Sequence, residues 1–249
     1  MKSRTFTAHP KFDPDTGDML TMGYEAKGDG TNDVCYMHFD KNGKKMDECW
    51  IKTPHCGMMH GTSDPVPTNL DFCFTKNYVV FHVLPLHCSI ENLKKDGNHF
   101  HWEDDIPLYF GILPRHNPKS EDIKWFHNKL NAYIAHIGNA YDGPYGVAYY
   151  DSPLSYGNKF VSFFPSIKPD APLHDPAAIR SHYVRWKLDP RAKSDFVEPV
   201  ELADVDGEMP TIDLRYASLP YTYVFMACFD KRINPGEPQA VWYVLFERE

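Results

Sequence analysis

Two neighbouring segments set the pattern for this chain: Pro54-His-Cys-Gly-Met-Met-His-Gly, and then Asp71-Phe-Cys-Phe-Thr-Lys-Asn-Tyr-Val-Val-Phe. Residues 71–86 supply a long apolar run, which Lys76 and Asn77 break. An apolar run that is broken by two polar residues predicts a buried β-hairpin. His60, at the end of the first segment, is then expected at the edge of this strand pair.

Strand-like segments continue on both sides of the hairpin. The dipeptide Asn42-Gly43 separates two such segments, and an Asn-Gly in that position is a strong hairpin signal. One short helix is predicted at 89–95, because Ser89 can cap it, Ile90 and Leu93 are three residues apart, and Gly97 follows. The other predicted strands are 20–25, 35–40, 48–52, 106–115, 123–127, 132–137, 146–150, 160–164, 181–188, 221–230 and 240–247.

Many short strands with very little helical periodicity predict an all-β fold. The 21 prolines and 15 glycines suit an architecture that is rich in turns. A barrel, a sandwich and a propeller all fit this pattern. No repeat or change in composition divides the 249 residues, so we expect one domain.

Composition excludes several functional classes. The formal net charge of −8 argues against a nucleic-acid surface, which requires a basic patch. No apolar run approaches 18 residues, so no membrane span is expected, and the first residues do not resemble a signal peptide. The six cysteines include no CxxC pair, which favours a cytoplasmic protein without disulfides.

Three histidines are candidate metal ligands: His9, His60 and His136. They are 51 and 76 residues apart, which is too far for a local metal finger but suits one ligand from each large β unit. Imidazole binds zinc, copper, iron and nickel. Zinc sites rich in cysteine would show closely spaced Cys pairs, which are absent, so iron remains open.

Most of the 13 histidines are expected to be ordinary surface or hydrogen-bonded residues. Three of them, His55, His82 and His127, border apolar segments and could replace a chosen ligand. Seven others lie in polar surroundings and are not considered ligands: His38, His87, His99, His101, His116, His174 and His182.

Five motifs occur in a fixed order along the chain: Thr7-Ala-His-Pro-Lys-Phe-Asp-Pro-Asp-Thr-Gly, Met58-Met-His, Ile106-Pro-Leu-Tyr-Phe-Gly-Ile-Leu-Pro-Arg, His136-Ile-Gly-Asn-Ala-Tyr-Asp and Gly207-Glu-Met-Pro-Thr-Ile-Asp. As an ordered set they resemble the carotenoid cleavage oxygenase family, and their sequences are most similar to its lignostilbene dioxygenase branch. The resemblance covers the chain up to about Asp230.

The resemblance implies a seven-bladed β-propeller with a non-haem Fe(II) ion on its axis, held by four histidines. His9, His60 and His136 would be three of these ligands. Glu208 would be a carboxylate that accepts the other N–H of a ligating imidazole, which fixes its orientation. The implied reaction cleaves a carbon–carbon double bond with O₂ and gives two carbonyl products. The substrate would be an apolar conjugated molecule, a stilbenoid or a carotenoid, and no catalytic acid or base is implied.

The sequence departs from the family pattern at three places. The family's fourth histidine has a Gly-Phe-His-Gly-like setting, which has no counterpart before Glu249. Members carry a long segment before the first ligand, whereas His9 is almost the first residue here. Residues 61–70 interrupt the usual continuation from the second histidine. We therefore expect residues 1–249 to form one partial propeller domain, truncated at both ends.

Two other functions remain open. The chain could be a catalytically inactive propeller fragment that acts as a binding or structural module. It could also be an unrelated β protein that binds zinc for hydrolysis. Such a protein would need a water-activating site with a nearby carboxylate base, and no HExxH or comparable motif is present.

Overall fold

The computed structural model describes residues 3–7, 9–57, 72–96, 100–158, 180–229 and 240–246. Strands dominate these ranges, which confirms that the chain is mostly β-sheet. The elements are β1 Lys11–Phe12, β2 Met19–Gly23, β3 Asp33–Phe39, β4 Lys45–Lys52, β5 Phe72–Phe74, β6 Tyr78–Val83, β7 Leu86–Cys88, α1 Ile90–Asp96, β8 Phe100–Trp102, β9 Tyr109–Pro114, β10 Lys124–His127, β11 Ala132–Tyr133, β12 Asn139–Asp142, β13 Ala148–Tyr156, β14 Ser181–Leu188, β15 Pro199–Thr211, β16 Tyr223–Phe229 and β17 Ala240–Phe246.

The strands form antiparallel sheets in which sequence neighbours are mostly spatial neighbours. The first sheet has the order β1-β2-β3-β4, and the second has the order β5-β6-β9-β10. The third sheet runs β11-β13-β14-β15-β16-β17, with β12 also paired to β13. Strands β7 and β8 form a separate pair beside α1. None of these sheets closes on itself within the described ranges.

The hairpin predicted from the apolar run at 71–86 is confirmed by β5 and β6. Phe72 pairs with Phe81, and both side chains are fully buried. Thr75 makes the turn, because its Oγ1 accepts hydrogen bonds from the backbone N–H of Asn77 at 3.1 Å and of Tyr78 at 2.8 Å. The two polar residues therefore lie where the chain must reverse.

The other two local predictions are also confirmed. Gly43 adopts a φ of 81° between β3 and β4, a left-handed conformation that glycine adopts without a steric penalty. Asp40 closes this turn by accepting backbone N–H groups with its carboxylate. The predicted helix is α1, where Ser89 Oγ accepts the N–H of Asn92 at 3.2 Å as an N-cap.

Several segments differ from the sequence prediction: β1, β8 and β12 were not predicted, and two other segments bear on the site. Residues 132–137 were expected to be a strand, but β11 ends at Tyr133 and the chain then leaves the ladder. The 13-residue strand β15 was not predicted, because Asp204, Gly207 and Pro210 are poor strand formers. Its partners account for it: residues up to Asp206 pair with β14, and residues from Gly207 onward pair with β16.

Polar contacts join the sheets to one another. Asp13, which follows β1, forms a buried ion pair with Arg115, which follows β9. The guanidinium of Arg115 also lies 4.9 Å from the centre of the Phe74 ring. Asn77 Nδ2 donates to Asp142 Oδ2 at 3.0 Å and so connects the second sheet to β12. These contacts hold the C-terminal ends of β1, β5 and β12 near one another.

Some predictions fall on residues that the structure does not describe. These include the strand predicted at 160–164, the insertion at 61–70 and His60 itself. All six cysteines are buried free thiols. Across the described ranges, no helix has the length and apolar character needed to cross a bilayer.

Candidate metal centre

His136 lies in a buried irregular segment between β11 and β12. Its residue exposure is only 2%, and the flanking Ala135 and Ile137 are equally enclosed. The backbone N–H of Gly138 donates to the carbonyl of Asp151 on β13 at 2.9 Å. This bond attaches the segment to the third sheet immediately after the histidine, so the imidazole projects from a fixed backbone.

Glu208 holds one nitrogen of the His136 ring. His136 Nδ1 lies 2.6 Å from Glu208 Oε2, although the two residues are 72 positions apart. The same oxygen accepts the backbone N–H of Met209 at 2.7 Å. Met209 has a φ of 56°, and in this conformation its N–H reaches back to the preceding carboxylate. The carboxylate is thereby held in place from both sides.

The contact with Glu208 fixes the tautomer of a neutral His136 ring. A carboxylate accepts hydrogen bonds, so Nδ1 carries the proton, and the lone pair of the neutral ring is then on Nε2. Nε2 is buried and has no hydrogen-bond partner among the described residues. A buried acceptor without a partner costs free energy. A divalent metal ion would use this lone pair, and a carboxylate on the opposite nitrogen is the usual companion of a metal-ligating histidine.

His9 lies just before β1 and is partly buried. Its backbone N–H donates to Thr7 Oγ1 at 3.0 Å, and the N–H of Thr7 donates to the carbonyl of Met22 at 2.7 Å. These two bonds attach the segment to β2. His9 therefore has a defined backbone position beside the first sheet.

One cavity of about 500 Å³ borders the segments that carry His9, His136 and Glu208. Residues that closely follow each of them line it: Pro10 and Lys11, Gly138 and Asn139, and Pro210. The fold therefore brings these three segments to a common space. Their convergence is consistent with the ligand set that the sequence predicts.

The complete three-histidine set remains a prediction. His60 lies outside the described residues. Among the residues that are described, no group of three or more His, Cys, Asp or Glu side chains is arranged to hold a metal ion. The structure thus joins His136 to Glu208 directly, and the cavity borders the segment that carries His9.

The three competing histidines have different surroundings. His55 Nε2 donates to the carbonyl of Leu84 at 2.8 Å, and burial lowers the pKa of the ring. His82 Nδ1 lies 2.9 Å from the hydroxyl of Tyr150. The ring of His127 is partly exposed and faces Asp195 at 3.6 Å. Of these rings, none has the close carboxylate contact that His136 has.

Two cavity residues have no signal in the sequence analysis. Lys11 is 6% exposed although it is a lysine, and its Nζ lies 5.4 Å from the centre of the Phe72 ring. Cys73 is on β5, and burial raises the pKa of its thiol to about 11. The one sequence feature that could have indicated Lys11 is its position two residues after the candidate ligand His9. Its burial depends on contacts with β5 that are distant in sequence.

Comparison with known proteins identifies the family. The family described as "RPE65: Retinal pigment epithelial membrane protein" matches residues 1–244. A carotenoid cleavage oxygenase from Neurospora crassa is 37% identical over 238 residues, which is 95% of this chain and 42% of the relative. This chain belongs to the carotenoid cleavage oxygenase family.

Stilbene-cleaving members of the carotenoid cleavage oxygenase family are also similar to this chain. A resveratrol cleavage oxygenase from Aspergillus fumigatus is 39% identical over 231 residues, covering 92% of this chain and 44% of the relative. The crystal structure of a lignostilbene dioxygenase from Pseudomonas brassicacearum superimposes with a TM-score of 0.80 and 38% identity. That match covers 95% of this chain and 45% of the other. The chain spans less than half the length of these relatives.

Proposed function

We propose that this chain contributes the metal-binding part of a non-haem iron dioxygenase. The enzyme would cleave a carbon–carbon double bond of a stilbenoid with O₂ and give two carbonyl products. Carotenoids and apocarotenoids are the second substrate class. The observation that carries the proposal is the His136 ring, with Nδ1 bonded to Glu208 and the buried Nε2 available to a metal.

His9, His60 and His136 would hold the Fe(II) ion, and Glu208 would orient His136. The neutral nitrogen donors suit this choice, because imidazole is a common ligand of iron. When bound, the iron would supply the centre at which O₂ reacts with the alkene. The residues of the chain keep the proton of His136 on Nδ1 and surround the ring with apolar groups that exclude water.

The architecture that we infer is part of a seven-bladed β-propeller, formed by residues 1–249 as one domain. Two features support this inference. Each of the first two sheets is a four-stranded antiparallel sheet, the form of a propeller blade. Strand β15 then divides its pairing between β14 and β16, as expected where one blade gives way to the next.

The substrate preference follows from the relatives and from the cavity. Similar proteins are named for resveratrol and lignostilbene cleavage, and both names denote stilbene-type molecules. Most of the cavity wall is apolar and includes Phe74 and Ile212. Such a wall suits a conjugated hydrocarbon and offers few polar groups that could direct acid–base chemistry. The partners of the protein would therefore be this substrate and O₂.

The experiment is to purify the chain anaerobically with Fe(II) and measure bound iron. Addition of O₂ and resveratrol should then yield aldehyde products that mass spectrometry can identify. His9→Ala should reduce bound iron, whereas His116→Ala, which changes an exposed histidine, should not. A folded chain that binds no iron would support the inactive module instead. Tight zinc binding with hydrolytic activity would support the zinc hydrolase.

A further inference from the structure

A buried polar network contacts the segment that carries His136. The hydroxyl groups of Tyr183 and Tyr221 are 2.7 Å apart, and Tyr221 also donates to Asp151 Oδ2 at 2.7 Å. Arg185 contributes Nε and Nη2 to the two oxygens of Asp151, each at 2.8 Å. Asp151 is fully buried. None of these side chains belongs to the proposed ligand set.

The network contacts the backbone at Gly138, two residues after His136. A Cβ atom at Gly138 would lie 2.0 Å from the Tyr183 hydroxyl oxygen, so only glycine fits beside this phenol. The N–H of Gly138 also donates to the carbonyl of Asp151. One residue of the network therefore bonds to this backbone, and another one packs against it.

Irregular strand geometry determines the directions of Tyr183 and Glu208, the two side chains beside the His136 segment. The register between β14 and β15 shifts on each side of Tyr183. A second irregularity follows Glu208, where Met209 adopts its left-handed conformation. Bulges of this kind change the direction of a side chain and are common beside functional sites. Tyr183 and Glu208 thus owe their directions to two separate departures from a regular ladder.

We propose that Tyr183 is a positioning residue for His136, held in place by Tyr221, Asp151 and Arg185. Its hydroxyl fixes the backbone at Gly138, so that the His136 ring meets Glu208 and directs Nε2 toward the metal. This inference rests on the proposed function. Tyr183 would support the backbone at Gly138, whereas Glu208 supports the imidazole ring of His136.

The protonation states in the network are consistent with this role. Burial raises the pKa of Tyr183 and of Tyr221 well above the usual value, so both remain neutral phenols. The charge of Asp151 is balanced by Arg185, whose guanidinium also lies 5.2 Å from the ring centres of Tyr141 and Tyr149. A paired and fully hydrogen-bonded buried charge of this kind is rigid.

The test compares Tyr183→Phe with Tyr150→Phe. Both changes remove one buried phenolic hydroxyl from the third sheet, but the hydroxyl of Tyr150 bonds to Nδ1 of His82. The first readout is the dissociation constant of the full chain for Co(II), followed by its absorption spectrum. We expect Tyr183→Phe to weaken binding by about tenfold, the lower end for outer partners of a ligand. Tyr150→Phe should leave binding within about twofold of the parent chain.

The second readout needs no metal. Hydrogen exchange at the Gly138 amide and at His136 Nδ1–H, followed by NMR, should accelerate in Tyr183→Phe. It should be unchanged in Tyr150→Phe. If Tyr183→Phe does not fold, Tyr221→Phe takes its place. This variant keeps the phenol beside Gly138 but removes its link to Asp151, and we expect a smaller acceleration.

The outcomes separate this inference from the proposed function. Metal binding that is weakened by Glu208→Gln but not by Tyr183→Phe overturns the inference and leaves the proposed function intact. A parent chain that binds no metal overturns the proposed function, and the exchange rates then decide the role of Tyr183. Equal exchange rates in Tyr183→Phe and Tyr150→Phe mean that the network only stabilises the sheet.

Discussion

His136 and His82 are almost equally buried, at 2% and 1% exposure, yet their surroundings differ in kind. His136 faces a carboxylate, whereas His82 faces the phenol of Tyr150. Burial, with a smaller effect from Lys11, lowers the pKa of His82 to about 3. Burial alone therefore keeps a histidine neutral and does not make it a metal ligand. The carboxylate beside Nδ1 is what distinguishes His136 from His82.

Loss of the candidate ligand should have the largest effect. His136→Gln keeps a polar side chain of similar size but removes the Nε2 donor. We expect the affinity for Co(II) to fall by at least about 100-fold, more than the loss of an outer partner causes. Isothermal titration calorimetry can measure this change. His82→Gln is the matched control and should still bind Co(II). Equal losses of affinity in the two variants would contradict the distinction between His136 and His82.

The lowered pKa of His82 should affect how the free energy of unfolding depends on pH. Above pH 6.5 its imidazole is neutral in the folded and the unfolded chain, so no stability is lost. As the pH falls from 6.5 toward 3, the unfolded chain binds a proton that the folded chain excludes. The free energy of unfolding should fall by roughly 3 kcal/mol between pH 6.5 and pH 4 from this residue.

Urea denaturation of the parent chain and of His82→Gln at several pH values would measure this contribution. Other groups titrate in both proteins, so the difference between the two curves isolates His82. Below pH 6, the free energy of unfolding should depend on pH more steeply in the parent than in His82→Gln. The difference in slope should correspond to about one proton. Parallel curves would show that His82 is not held neutral.

Glu208→Gln should produce an intermediate effect. The amide keeps the shape of the side chain but removes the charge that fixes the proton of His136 on Nδ1. We expect metal affinity to fall by about 10- to 100-fold, as for other carboxylates that support a ligating histidine. Glu201→Gln is a suitable control, because Glu201 lies on the same strand and is exposed. An unchanged affinity in Glu208→Gln would remove the carboxylate from the proposed site.

The smallest effect is expected for Tyr150→Phe. This change removes the hydroxyl that bonds to His82 Nδ1 and leaves the packing of the ring on Phe110 and Trp186 in place. We expect a loss of about 1 kcal/mol in the free energy of unfolding, typical of one buried hydrogen bond. Thermal denaturation would measure it. A loss several times larger would show that His82 is more important to the fold than this hydrogen bond suggests.

The sequence predicted local structure well where neighbouring residues determine it. The hairpin of β5 and β6, the turn at Gly43 and helix α1 each depend on apolar runs, turn residues or caps that are close in sequence. Strand β15 could not be predicted in this way, because its acidic residues, Gly207 and Pro210 disfavour a strand. The neighbouring strands provide the hydrogen bonds that stabilise it.

The candidate site was predictable only in part. Resemblance to a family, not spacing, indicated Glu208, and the structure then placed it against His136. Nothing in the sequence singled out Tyr183 or Asp151, because each is an ordinary residue of a predicted or regular strand. Their contacts join β13 and β14 to the segments that precede β12 and β16, and local patterns do not encode such contacts.

The divided pairing of β15 has a consequence for how the protein opens. Glu208 lies on the half of the strand that pairs with β16, whereas His136 is attached through Gly138 to β13. Parts of one sheet can open at different free energies, so we expect the half of β15 that carries Glu208 to open before the segment that carries His136. Fraying of the β16–β17 hairpin would withdraw the carboxylate while the imidazole remained in place. Metal release should then precede global unfolding as denaturant is raised.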